Sequence, residues 1–401
     1  VEKWEISNSM LARLCREGRI PGAEKVKKSW MIPADAQYPA DARTKKGSVP
    51  VKKKQLLPLP IGISDYRKAS SEYYYIDKTL MIRDFLDEVP MVSLFTRPRR
   101  FGKTLNMDML RTFFEKTEED TSIYFSDKKI WDCGEKYQAH QGKYPVIFLS
   151  FKDVKCKTWE ETYAVIAMLI SMEYKRHVEL ATTKNPDFDF YQKIVQDKAD
   201  TNDFMLSLMM LSKMLHEHHG IEPMIIIDEY DTPIQQGHSC GFYDDVVLFI
   251  RNLFSGAFKD NKHLKYGFLT GILRVAKESI FSGLNNLKIN SVLDNHYSEY
   301  FGFTQDEVRE MAAYYGAEDK CDEISAWYDG YRFGKTEIFN PWSVINYFSN
   351  DCIPGTYWLS TGSNEVIGEV IAHADEKTFD RMRRLMEGES ILTFVDTSVI
   401  Y

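Results

Sequence analysis

The stretch Phe95 to Leu110, FTRPRRFGKTLNMDML, holds the residues whose types and spacing could do chemistry. Gly102, Lys103 and Thr104 lead into Met107, Leu110, Phe113 and Phe114, which recur at helical spacing. Upstream, Met91 to Phe95 is a short apolar run suited to a buried strand. Strand, glycine-containing loop and helix are the context that a phosphate-binding loop requires. The amides that open such a helix, here those of Gly102, Lys103, Thr104 and Leu105, point at an anion, and the helix dipole favours its charge. Lys103 would reach the β- and γ-phosphates, and Thr104 would bind Mg2+ through its hydroxyl. One position departs from the pattern. The glycine expected five residues before Gly102 is Arg97, at a place that often needs unusual backbone freedom. In exchange, Arg97, Arg99 and Arg100 bring three guanidinium groups to the loop, Pro98 stiffens it and Phe101 completes it. Arginine matches phosphate geometry well, so a phosphate site survives the substitution.

A lone Gly-Lys-Thr is weak, and a partner motif is needed. EPMIIIDEYDTPI supplies one. Met224 to Ile227 fits a central strand, which puts Asp228 at its carboxyl end, where open α/β sheets bind ligands. Asp228 would hold Mg2+, and Glu229 would polarise the attacking water. An ordinary strand leaving the core has the same pattern, but the strand–loop–helix upstream favours the paired Walker A and Walker B reading. YPVIFLSF (Tyr144 to Phe151) and LKYGFLTGILR (Leu264 to Arg274) add two strands. The second ends on Thr270, placed to sense the γ-phosphate. Arg274 lies just beyond. It supplies positive charge to the transition state, in its own or a neighbouring subunit of a homo-oligomer, or else it makes a surface salt bridge.

The rest of the chain must position these groups. Its 401 residues, 44% hydrophobic and 27% charged, suit a soluble protein of two or three domains. No apolar run approaches the roughly 18 residues of a membrane span, and no signal-peptide segment is present at the start. Cys15, Cys133, Cys156, Cys240, Cys321 and Cys352 lie far apart without a CxxC pair. A disulfide framework or zinc site is therefore not expected, and a reducing cytoplasm is. His216, His218 and His219 read as a solvated helix end beside Gly220. The net charge of −8 is uneven. Residues 1–56 hold 13 Lys and Arg against 6 Asp and Glu, net +7; the remainder holds 38 against 53, net −15. A basic head on an acidic body places any nucleic-acid contact in the head.

That head reads as a helix from Asn8 to Glu17, capped by Ser7 and ended by Gly18, then two short extended runs joined by a lysine-rich tip. Trp4, Ile6, Ser7, Gly18, Arg19, Ile20, Pro21, Gly22, Ala23, Trp30, Ile32, Pro33, Asp41 and Arg43 make it similar to the small winged helix-turn-helix domains of the excisionase type. The resemblance implies that the family's first helix would precede Trp4 and that this copy lacks it. It implies double-stranded DNA as partner, with Asn8, Ser9, Arg13 and Arg16 in the major groove and Lys25, Lys27 and Lys28 on phosphate. A small accessory domain with solvated basic residues is the alternative. Residues 44–58 read as a linker.

From residue 57 onward, LPLPIGISDY, YYYIDKT, LFTRPRRFGKTLNMDML, IIIDEYDTPI, FLTGILRVAKESIFSGLNNL, FGFTQDEV, WYDGYRFG, FNPWSVINYF and YWLSTGSN together resemble the bacterial AAA-ATPase-like family. In that family the arginine-rich loop without its first glycine recurs, so Arg97 is a family trait. The resemblance implies an α/β fold: a P-loop NTPase core of the AAA/STAND-like kind with a parallel sheet over 59–300, then a helical lid and the start of a C-terminal region over 301–401. The winged helix-turn-helix over 1–43 would precede it. ATP and Mg2+ are the implied cofactors, with Lys103, Thr104, Asp228 and Glu229 at the matching positions. Members often continue into a nuclease-like domain of the PD-(D/E)XK type. No spaced Asp…Glu-x-Lys is found here, so that site is expected to be absent or to lie beyond Tyr401. Asp77 is the expected cap of the helix carrying Leu80, Phe85 and Leu86. Thr304 with Glu307 forms a capping box, and Asn340 caps a helix opened by Pro341. WYDGYRFG reads as a turn. Three functions follow: an ATP-hydrolysing regulator with a DNA-binding head, a nucleotide-gated DNA-binding scaffold, or an ATP-triggered subunit of a nuclease.

Overall fold

Short apolar runs closed by a polar residue build the centre of the molecule. The computed structural model describes residues 8–16, 20, 22–26, 29–33, 36, 56–272, 280–281, 284–358, 374–389 and 391. They fall into two compact units, Val1–Leu56 and Leu57–Tyr401. The first contains helix α1 (Asn8–Arg16) and the antiparallel strands β1 (Glu24–Val26) and β2 (Ser29–Met31), with Lys25 opposite Trp30. Leu14, Cys15 and Ile20 form its small core. Asn8, Ser9 and Arg13 lie on α1, and Arg16 and Lys25 are exposed. Ser7, Lys27 and Lys28 lie outside the described residues, as does most of the expected linker.

The second unit is built on a five-stranded sheet of order β4-β5-β6-β3-β7. The strands are β3 (Val92–Thr96), β4 (Val146–Ser150), β5 (Met224–Asp228), β6 (Tyr266–Gly271) and β7 (Leu287–Asn290), and every pairing is parallel. All residues of β3, β5 and β6 are buried. This explains their continuous apolar runs, because a parallel sheet is covered by helices on both faces. Alternate residues serve different cores: Ile225 and Ile227 pack on one side, and Met224 and Ile226 on the other. The first side is covered by α6 (Trp159–Arg176), α7 (Phe188–Val195), α8 (Thr201–His219), α9 (Thr232–Cys240) and α10 (Tyr243–Phe258); the second by α2 (Tyr66–Glu72), α3 (Leu80–Glu88), α4 (Lys103–Phe114) and the short α5 (Glu135–Gln138). From β3 the chain passes to the far edge at β4, and from β6 it crosses β3 to reach β7. The reversal leaves a crevice at the carboxyl ends of the strands.

Strand β7 is an addition to the sequence-based reading. Asp77 is a correction: α3 starts at Leu80 behind Thr79, and the Asp77 carboxylate instead accepts from the Thr79 amide and hydroxyl, at 2.8 and 2.6 Å, and from the Lys129 amide. In 301–358 the two expected helices are present as α11 (Gln305–Tyr315) and α13 (Pro341–Ser349), and α12 (Cys321–Tyr328) lies between them in the chain. Thr304 and Glu307 make the capping box, and Asn340 caps α13. WYDGYRFG is more than a turn. It leads into a hairpin of β8 (Asp329–Phe333) and β9 (Thr336–Phe339), whose Tyr331 and Phe333 pack on Phe101. Among the described residues, no helix is long and apolar enough to cross a membrane, and the cysteines form no disulfide.

Candidate phosphate-binding site

Strand β3 delivers the loop. Its exit is pinned by the Arg97 amide, which donates to the Gly271 carbonyl at 3.0 Å. Gly102 then takes a left-handed conformation, φ 78°, and hands the chain to α4 at Lys103. A glycine suits this because L-residues meet a steric penalty there. Arg100 is also left-handed, φ 69°, without being glycine, and its guanidinium lies 4.3 Å over the Trp342 ring at the start of α13. Lys103 is buried. Its ammonium donates to the carbonyls of Arg97 and Pro98, at 3.1 and 2.9 Å. Burial pulls its pKa down, opposed by the nearby charges of Glu229, Asp231 and Asp228.

Asp228 is wholly buried, and three hydroxyls from three elements converge on it. Thr104 donates to one carboxylate oxygen at 2.8 Å, with Ser150 at 3.3 Å; Thr270 donates to the other at 2.6 Å. Such bonds satisfy a carboxylate that would be costly to bury alone. Ser150 escaped the sequence-based reading. Its signal is the sheet register, which sets it directly beside Asp228 on β4, and that register is not local information. The chain turns sharply after Asp228. Glu229 is left-handed, φ 52°, and its amide donates to the Thr270 hydroxyl at 3.3 Å. Thr270 is thus buried, its hydroxyl bridging Asp228 and Glu229. Asp231 accepts from the Ile272 amide at 2.9 Å, which ties this turn to the exit of β6. A Cβ on Gly271 would lie 2.6 Å from Tyr230 and 2.7 Å from Asp231, so only glycine fits that crossing.

Arg97 departs from the expectation of three guanidinium groups around the loop. Its side chain is wholly buried, donating to the carbonyls of Thr96, Asn290 and Tyr297 at 2.9, 2.7 and 3.4 Å, between the faces of Phe301 and Phe333. Burial brings its pKa down to about 10. It anchors β3 to β7 and does not line the cavity. Arg274 lies outside the described residues.

A cavity of about 430 Å3 opens over the loop. One part of its lining is polar: Arg99, Arg100, Gly102 to Thr104, Lys155, Glu229 and Thr232. Ile61, Ile63, Ile76, Trp342 and Ile345 supply apolar surface from the segments on either side of α2 and from helix α13. Phe101 and Leu105 also contribute, whereas Asp228 and Thr270 sit behind the lining. Among the described residues, no group of three or more His, Cys, Asp or Glu side chains could cage a metal. The donor set fits Mg2+ instead, which keeps its waters and takes few protein ligands: the Thr104 hydroxyl with the Asp228 carboxylate behind it.

The sequence model of the family described as "Predicted AAA-ATPase" matches residues 60–281, more than half of the chain. An "Uncharacterized protein in vnfD 5'region" from Azotobacter chroococcum mcd 1 is 28% identical over 309 residues, 76% of this chain and 54% of the relative. The chain therefore spans about half the length of that curated relative.

Proposed function

The chain belongs to the family of predicted AAA-ATPases, and on that premise we propose that it binds ATP with Mg2+ and hydrolyses it. The observation that carries this reading is the convergence of Thr104 on Asp228, with Glu229 next in the chain and facing the same cavity as Lys103. The amides of Gly102, Lys103, Thr104 and Leu105 would cradle the phosphates, and Arg99 and Arg100 flank them. Lys103 would exchange its loop carbonyls for phosphate oxygens. Thr104 and, through water, Asp228 would hold Mg2+, which neutralises charge between the β- and γ-phosphates. Glu229 would take the proton of the attacking water as its oxygen bonds to the γ-phosphorus and the bond to the bridging oxygen breaks. The apolar surface of Ile61, Ile63 and Trp342 suits the base. Thr270 holds Asp228 and Glu229 in place, and Arg274 keeps its proposed role of supplying charge to the transition state. The basic first unit is proposed to bind double-stranded DNA, which makes the protein a nucleotide-dependent regulator acting on DNA. A nucleotide-gated scaffold with little hydrolysis is the competing reading.

Mg2+-dependent ATP turnover separates the two. Lys103→Ala should lose both ATP binding and turnover. Glu229→Gln should keep binding and lose turnover by about 100-fold or more. Tight ATP binding without turnover in the unaltered chain, unchanged by Glu229→Gln, would establish the scaffold.

A further inference from the structure

Five cations line the cavity, Lys78, Arg99, Arg100, Lys103 and Lys155, against the carboxylate of Glu229. Lys78, Lys103 and Arg100 have identified partners, and Arg99 is engaged as well. The Lys78 ammonium is 2.6 Å from both Glu307 oxygens and from the Glu299 carbonyl; Lys103 bonds the loop carbonyls; Arg100 lies over Trp342. Arg99 belongs to the phosphate loop itself. Lys155 comes from elsewhere, and no carboxylate among the described residues pairs with it.

Lys155 sits on the loop leaving β4, and that loop is fixed at its root to the Asp228–Glu229 turn. The Phe151 amide donates to the Asp228 carbonyl at 2.9 Å, and the Val154 amide to the Phe151 carbonyl at 3.0 Å. The Phe151 and Val154 side chains are wholly buried. The next residue, Lys155, is exposed, and its amide bonds the Asp153 carbonyl at 3.0 Å. Strands β4 and β6 flank β5 on opposite sides. Lys155 therefore reaches the cavity from the β4 side of the turn that carries Glu229, while Ile272 lines it from the β6 side. A lysine is a compact charge on a flexible stem, suited to follow a group that changes shape and charge during reaction.

We propose that Lys155 is a specificity-determining residue that contacts the terminal phosphate, separating ATP from ADP and neutralising charge on the transferring phosphoryl group. This rests on the nucleotide reading given above. Lys155 moves no proton: it faces the equatorial oxygens while the water–phosphorus bond forms and the bridging bond breaks.

The test uses the full chain with Mg2+. Calorimetry gives the affinity for ADP, and for ATP in a Glu229→Gln background so that it is not consumed; turnover is measured with Glu229 intact. Lys155→Ala should weaken ATP by about 10-fold, leave ADP within about twofold and lower kcat by roughly 10-fold or more, with partial recovery in Lys155→Arg. Lys152→Ala and Lys157→Ala, exposed neighbours outside the cavity lining, should change none of these. Lys155→Ala with an unchanged ATP-to-ADP ratio and unchanged kcat would overturn the proposal while leaving the ATPase reading intact. Equal weakening of both nucleotides would also overturn it, as a general charge effect. An unaltered chain that binds neither nucleotide fails at the earlier step and removes both.

Discussion

At the scale of single residues, Glu229 combines its proposed chemical duty with an unfavourable backbone. It is left-handed at φ 52°, directly after a buried strand. A non-glycine residue there carries a penalty of about 1–2 kcal/mol, and such strain gathers at functional sites. The side chain offsets little of it, since it accepts only a long bond, 3.4 Å, from the Thr232 hydroxyl among the described residues. Glu229→Gly and Glu229→Ala should both abolish turnover, yet differ in stability. Glycine relaxes the backbone and alanine keeps the strain, so the glycine variant should be more resistant to urea by about 1 kcal/mol. Alanine proving equal or more stable would mean that the turn holds no strain. Arg97 teaches the opposite lesson. Its charge suggests a loop cation, but its partners Asn290 and Tyr297 lie 193 and 200 residues away. Sequence proximity placed it near phosphate, whereas distant carbonyls and aromatic faces made burial the better solution.

At the scale of elements, helix α6 guards an edge of the sheet. Strand β4 is terminal in the strand order, and edge strands expose backbone groups that invite pairing with other chains. Here side chains occupy them. Glu173 accepts from the Phe148 amide at 2.8 Å, and Arg176 donates to the Val146 carbonyl and to Glu115. Burial alone would push the Glu173 carboxyl up, but hydrogen bonds from Arg176 and His177 bring it down to about 2. Burial opposes and His177 again prevails at Glu179, also at about 2; His219 adds a weaker contact to it. His177 itself is raised, burial being outweighed by Glu173 and Glu179. The signs follow from linkage. The depressed carboxylates stabilise the fold above the ordinary value of 4.5, and that contribution disappears as pH falls through about 2. The raised histidine stabilises below the ordinary 6.5, and its contribution disappears as pH rises through its folded value. This network is therefore strongest between these limits, near pH 5.5. Urea unfolding should show stability falling toward pH 3, with Glu173 alone worth about 3 kcal/mol once it is fully protonated. A smaller loss toward pH 8.5 should be reduced in His177→Gln; an identical alkaline slope in that variant would exclude His177 as its source. Elements whose signals are local were legible in the sequence: α4 behind Gly102, β5 ahead of Asp228, and α11 behind the Thr304–Glu307 box. Strand β7 was not, because four residues of mixed character become a strand only by pairing with β3. The β8–β9 hairpin was missed because its aromatics pack on Phe101, far away in sequence.

At the scale of the whole molecule, charge and architecture divide at the same place. Residues 1–56 carry net +7 and the remainder −15, and the boundary between the two compact units falls between Leu56 and Leu57 in the chain. The family match begins at residue 60, and every residue lining the candidate phosphate site belongs to the second unit. The DNA contact proposed for the basic unit should not enter the chemistry proposed for the second unit, and that separation can be measured in the full chain. Replacing Lys25, Lys27 and Lys28 together with alanine should weaken duplex DNA binding at every salt concentration. If each lysine neutralises one phosphate, the slope of log affinity against log salt should flatten by about 3. ATP turnover without DNA should stay unchanged, because these lysines belong to the other unit. DNA affinity and salt slope that do not respond would move the contact off the head. A fall in DNA-free turnover would show instead that the basic unit acts on the nucleotide site directly, coupling the two halves through protein alone.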